Sequence, residues 1–217
     1  MSTFIQKKTD VEDAQASMTF RPGQFRRPPF QLQEKNIYLL GLRGSGKSTV
    51  GQALAQELGC AFVDTDQVVV ESCKQSIEAM VADQGWEFFR EQEKKALAQV
   101  AILPGKVIAT GGGMILDAEN RALMGQTGVC FYLAADVALL VERVQKDTQV
   151  QRPALTNMTL HEEMVSLLVE REPLYMATMD HLLQAHRQVT ELVDDILVAL
   201  ELKEWDFSQK ERIMDRY

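Results

Sequence analysis

The segment Gly41-Leu42-Arg43-Gly44-Ser45-Gly46-Lys47-Ser48 has the spacing G-x-x-x-x-G-K-[ST], and no other feature restricts the folding of this chain as much. The apolar run Ile37–Leu40 before it reads as a strand. Ser48–Leu58 after it places Val50, Leu54 and Leu58 at helical spacing. A strand that turns through glycines into a helix is a phosphate-binding loop. The glycines let successive N–H groups face inward, and the helix start adds the positive end of its dipole. Lys47 is then expected to reach the β- and γ-phosphates and the Ser48 hydroxyl to ligate Mg²⁺. The pattern implies a nucleoside triphosphate and leaves the acceptor open.

Beyond this loop, short apolar runs alternate with helical patterns. Ala61–Val63, Val107–Thr110, Val129–Leu133 and His181–Gln184 read as further strands. Glu87–Ala101, Met158–Glu170 and 189–202 read as helices. Strands separated by helices imply βαβ crossovers and a parallel sheet. With 217 residues the chain suits one α/β domain. Residues 1–35 hold three of the six prolines and read as an irregular N-terminal extension, leaving 36–217 as the domain.

The net charge of −8 argues against broad nucleic-acid binding, which needs a clustered basic face. No apolar run approaches the ~18 residues of a membrane span, and the N-terminus has no apolar signal core, so a soluble cytoplasmic protein is expected. The three cysteines, Cys60, Cys73 and Cys130, form no metal spacing and read as thiols in a reducing compartment. His161, His181 and His186 read as structural or surface groups.

Several further clusters carry chemistry. Asp64-Thr65-Asp66 closes the second strand, where open α/β sheets bind ligands. Strand alternation would send both carboxylates the same way, one to a hydrated Mg²⁺ and one to an acceptor hydroxyl; a helix cap is the competing reading. Arg90 and Glu93 are three apart on a helix and can pair, holding a guanidinium ready for a carboxylate. Gly111-Gly112-Gly113 at the end of the third strand offers bare amides to an anion or a close approach to a ligand. Arg152-Pro153 lies in a polar, poorly periodic stretch, about 146–160, that reads as a mobile lid. Pro173, two residues after Arg171, is expected to end or kink the preceding helix and leave Arg171 at a helix end near the cleft.

In order, these residues resemble the shikimate kinase family, in the nucleoside-monophosphate-kinase-like branch of P-loop proteins: the loop at 41–48, DTD at 64–66, FRxxE at 89–93, VIATGGG at 107–113, RP at 152–153 and RxPLY at 171–175. The resemblance covers about 36–202. It implies a three-layer α/β P-loop kinase fold with a five-stranded parallel sheet, helices on both faces and a mobile lid. It implies transfer of phosphate from ATP to the 3-hydroxyl of shikimate on the route to aromatic amino acids, by a protein expected to be monomeric.

By resemblance, Gly44, Ser45, Gly46, Lys47, Ser48, Thr49 and Arg152 would bind ATP, with Ser48 and Asp64 at Mg²⁺. Asp66, Arg90, Gly111, Gly112, Gly113 and Arg171 would bind shikimate, and Asp66, Lys47 and Arg152 would serve the chemistry. The chain departs from the family pattern in Trp86, which follows Gly85, and in Ala154 after the RP pair. A gluconate kinase would need neither the three glycines nor the arginine pair. A ligand-sensing relative would lose Lys47, Asp66 or Arg152, all of which are present.

Overall fold

The structure is a computed structural model that describes residues 30–146 and 159–203. Its centre is β1 (Asn36–Leu40), in which every residue is buried. The other strands are β2 (Ala61–Asp64), β3 (Lys106–Ala109), β4 (Gly128–Ala134) and β5 (His181–Gln184). They form one five-stranded sheet in the order β2-β3-β1-β4-β5, and each neighbouring pair is parallel. The helices among the described residues are α1 (Lys47–Leu58), α2 (Thr65–Cys73), α3 (Ile77–Ala101), α4 (Ala118–Thr127), α5 (Val137–Lys146), α6 (Leu160–Thr178) and α7 (Val189–Ala199). None is long and apolar enough to cross a membrane.

Alternation along the strands divides the core in two. Ile37 and Leu39 face one side, where they meet Val50 and Leu54 of α1 and Leu192 and Ile196 of α7. Tyr38 and Leu40 face the other, against Leu97, Met124, Leu140, Met164 and Leu167 from α3, α4, α5 and α6. A strand covered on both faces needs apolar residues at successive positions, which is why β1 reads as an unbroken run. Each of its apolar side chains contributes about 1.5–3 kcal/mol by burial. The described chain begins by packing on the first side: Phe30 and Leu32 lie against that core, and the Phe30 N–H donates to the Leu200 carbonyl at 3.4 Å.

Three of the helices that differ from expectation carry site residues. The helix expected at Glu87 begins at Ile77, and it continues across a break at Gly85, whose φ of 83° and ψ of 172° only glycine adopts easily. Asp64 ends β2 and Thr65 already belongs to α2, so strand alternation does not extend over Asp64-Thr65-Asp66. Asp64 is the helix cap: its Oδ1 accepts from the Asp66 N–H at 3.0 Å. Finally, α6 runs through Pro173 to Thr178, so Arg171 sits in mid-helix and not at an end. A mid-helix proline costs roughly 3 kcal/mol. Burial of Met164, Leu167 and Tyr175 against the sheet outweighs that, at about 1.5–3 kcal/mol for a large apolar side chain.

Candidate active site

A cleft of about 740 Å³ opens along the carboxyl ends of β1, β2 and β3, as expected for a parallel α/β sheet. Its floor is the phosphate loop. Gly41, Gly44 and Gly46 hold φ values of 144°, 80° and 95°, and this backbone curls the loop. Lys47, nearly buried, donates from Nζ to the Gly41 and Leu42 carbonyls at 2.9 and 2.8 Å, spanning the loop from within. Ser48, in the first turn of α1, donates from Oγ to Asp64 Oδ2 at 2.7 Å. Two hard oxygens side by side next to a phosphate loop fit a Mg²⁺ ion that keeps most of its water. Asp64 thus uses one carboxylate oxygen to cap α2 and the other to meet Ser48.

The three glycines after β3 form the second wall, and each faces a different partner. A Cβ on Gly111 would lie 2.5 Å from Asp66 Oδ1 and 2.6 Å from Glu93 Oε1, so two carboxylates converge there. The Gly111 N–H donates to the buried Thr65 Oγ1 at 2.9 Å. A Cβ on Gly112 would lie 3.4 Å from the Arg43 backbone nitrogen, which seats this residue against the phosphate loop. On the other side the Gly112 carbonyl accepts from Arg171 Nη1 at 3.1 Å and from the Tyr175 hydroxyl at 2.7 Å. At Gly113 the guanidinium of Arg90 fills the space a Cβ would take. At Gly111 and Gly113, then, the glycines admit the site's own charged side chains.

Arg90 is held from three directions. It pairs with Glu93, which is 1% exposed. Its guanidinium carbon also lies 5.4 Å from the Trp86 ring centre and 5.5 Å from that of Phe89. Trp86 and Phe89 meet edge to face at 5.9 Å, in a small cluster with Val69 and Met80 that joins α2 to α3. The guanidinium is therefore preorganised, with 30% of the side chain still exposed to an incoming anion. Gly113→Ala should displace it. We expect the acceptor KM to rise about 10- to 100-fold, the equivalent of a charge-assisted hydrogen bond, with the ATP KM little changed, in steady-state assays against each substrate.

Of the expected site residues, Gly44 to Thr49, Asp64, Asp66 and Gly112 line the cleft, while Arg90 and Arg171 adjoin it through their contacts with Gly113 and Gly112 and Gly111 meets Asp66. Arg152, and all of the expected lid except Lys146, Thr159 and Leu160, lie outside the described residues. Sequence reasoning missed several groups. Arg143 of α5 donates to the Ser45 carbonyl at 3.2 Å and the Ala185 carbonyl at 2.8 Å, tying the phosphate loop to the turn after β5. Arg43 Nη2 pairs at 2.7 Å with Glu163, which is 4% exposed, joining the loop to α6. Thr65 and Tyr175 hold the glycine wall. These last two stood inside motifs already singled out. Arg143 and Glu163 carry no local signal.

A shikimate kinase family model matches residues 43–201. A shikimate kinase 2 of Yersinia enterocolitica is 43% identical over 164 residues, covering 75% of this chain and 94% of that protein. A shikimate kinase of Nitratidesulfovibrio vulgaris is 41% identical over 165 residues, covering 76% and 94%. Among solved structures, the shikimate kinase of Acinetobacter baumannii in complex with shikimate superposes with a TM-score of 0.74 at 31% identity, over 80% of this chain and 97% of that one. A deoxyadenosine kinase of M. mycoides, at 14% identity and a TM-score of 0.52 over 76% and 99%, shares the fold alone.

Proposed function

The chain belongs to the shikimate kinase family, and from that premise we propose that its cleft transfers the γ-phosphoryl group of ATP to the 3-hydroxyl of shikimate. The observation that carries this reading is the glycine wall. It brings a carboxylate (Asp66), a guanidinium (Arg90) and the phosphate loop together at Gly111–Gly113. A compact acid bearing ring hydroxyls matches that set: its carboxylate suits Arg90 and Arg171, and one hydroxyl suits Asp66.

Phosphoryl transfer depends mostly on alignment and charge neutralisation. In this reading the loop amides and Lys47 hold the β- and γ-phosphates, and Lys47 exchanges a loop carbonyl for a phosphate oxygen. Arg90 and Arg171 fix the acid so that its hydroxyl lies in line with the γ-phosphorus. Asp66 orients that hydroxyl and takes its proton. Ser48 and Asp64 would hold Mg²⁺, which when bound neutralises charge between the two terminal phosphates. Arg152 is proposed as the cation over the transferred group. We take 36–217 as the catalytic domain. We also read the enzyme as a monomer and, because its donor is ATP, as cytoplasmic.

The test is ADP release by the purified protein with shikimate, set against gluconate and a panel of other hydroxy acids. Release should depend on shikimate and be small with the others. ATP consumption that shikimate does not raise would refute the reading.

A further inference from the structure

Gly112 is the point where three parts of the site meet. Behind it lies the phosphate loop, with the Arg43 nitrogen 3.4 Å and the Gly41 carbonyl oxygen 3.5 Å from where its Cβ would be. In front, two donors from α6 converge on its carbonyl, the Tyr175 hydroxyl at 2.7 Å and Arg171 Nη1 at 3.1 Å. A carbonyl oxygen has two lone pairs and accepts both. The two donors differ in what else they can do. Tyr175 is 1% exposed and its ring stacks on Tyr132 at 4.8 Å and 13°, so its hydroxyl is fixed. Arg171 has a fork of donors, of which Nη1 is on Gly112 and Nε is 3.3 Å from Glu170. Its five N–H groups let an end-on grip through Nη1 and Nη2 spare both contacts, whereas a turn of the fork that takes Nη1 off the wall leaves the Gly112 carbonyl to Tyr175 alone.

We infer that Tyr175 is a positioning residue for the acceptor: it holds the Gly112 carbonyl on α6 so that Arg171 can turn its fork onto the acceptor carboxylate without the glycine wall relaxing. The inference rests on the proposed role of Arg171 as a carboxylate ligand and deepens it. Because the peptide between Gly112 and Gly113 is trans, a carbonyl fixed toward α6 also fixes the Gly113 N–H pointing away from α6. Burial pushes the Tyr175 phenol well above its usual range, so the hydroxyl remains a donor throughout the working pH range. The helix period places the two donors together, since 171 and 175 are one turn apart on the buried face of α6.

The experiment is a double-mutant cycle on the full chain, with KM and kcat measured for each substrate. Tyr175→Phe keeps the ring and its stacking and removes only the hydroxyl. It should raise the shikimate KM about tenfold, the equivalent of one hydrogen bond, and leave kcat and the ATP KM within about twofold. In an Arg171→Ala background the same change should move the shikimate KM by less than about twofold, because Arg171 is no longer there to be released. An unchanged shikimate KM in Tyr175→Phe would overturn the proposal. So would an equal rise in both backgrounds, which marks a merely structural bond. If the variant does not fold, amide exchange in the wild type decides. Exchange at Gly111, whose N–H donates to Thr65 beside the held carbonyl, should be slow before any acceptor is added. Fast exchange that slows only with shikimate would overturn the proposal. Wild-type protein that ignores shikimate removes the underlying reading, whereas normal wild-type turnover with unaltered Tyr175→Phe constants removes this proposal alone.

Discussion

Lys47→Ala is expected to lower shikimate-dependent turnover by about 10³-fold or more, the scale of loss when a preorganised donor or cation facing transition-state charge is removed. The structure gives two reasons for an effect this large. The ammonium is a cation built into the phosphate loop, and it is almost fully withdrawn from solvent, where electrostatic interactions are strongest. It is also a strut: its bonds to the Gly41 and Leu42 carbonyls at 2.9 and 2.8 Å hold the loop's curl before any nucleotide arrives. The variant should therefore lose catalysis and also hold the loop less firmly. Turnover assays paired with a thermal melt separate the two losses. A folded variant with near-normal turnover would refute the phosphate assignment of residues 41–48.

Asp66→Asn is expected to lower kcat by about 10²–10⁴-fold, the range for loss of a positioned general base. Asparagine keeps the size of the side chain and an acceptor oxygen, so packing in the first turn of α2 should survive. What it lacks is the charge and the ability to take a proton. Asp66 Oδ1 and Glu93 Oε1 flank the same point above Gly111, 2.5 and 2.6 Å from it. Glu93 pairs with Arg90, and in the proposed reading it is Asp66 that meets the acceptor hydroxyl. The check is kcat and both KM values at saturating ATP. A loss below about tenfold would assign Asp66 to orientation alone, since alignment without proton transfer tolerates the amide.

Much of this molecule was legible from local pattern. Each strand expected from apolar runs lies within one residue of β1 to β5; in the central strands β1, β3 and β4 the run reflects cover on both faces, which asks for apolar residues at nearly every position. The phosphate loop was legible for a similar reason: its glycines answer to its own backbone angles. The helices were less so. Helix α2 was hidden because Asp64-Thr65-Asp66 reads equally well as a strand end and as a cap. Helices α4 and α5 went unread, and α6 overrode its proline because Met164, Leu167 and Tyr175 are buried on the sheet.

By itself the sequence determined the strands of the sheet, the phosphate cradle and the inventory of charged groups, since each depends on residues close together in the chain. Only the tertiary structure decided what the glycine wall faces. The partners of Gly111 and Gly112 lie 46, 59 and 63 residues away, and the Arg43–Glu163 pair spans 120. Such contacts are set by how α2, α3 and α6 pack across the end of the sheet. That packing follows from the shapes of buried side chains on separate elements, which no spacing along a single element encodes.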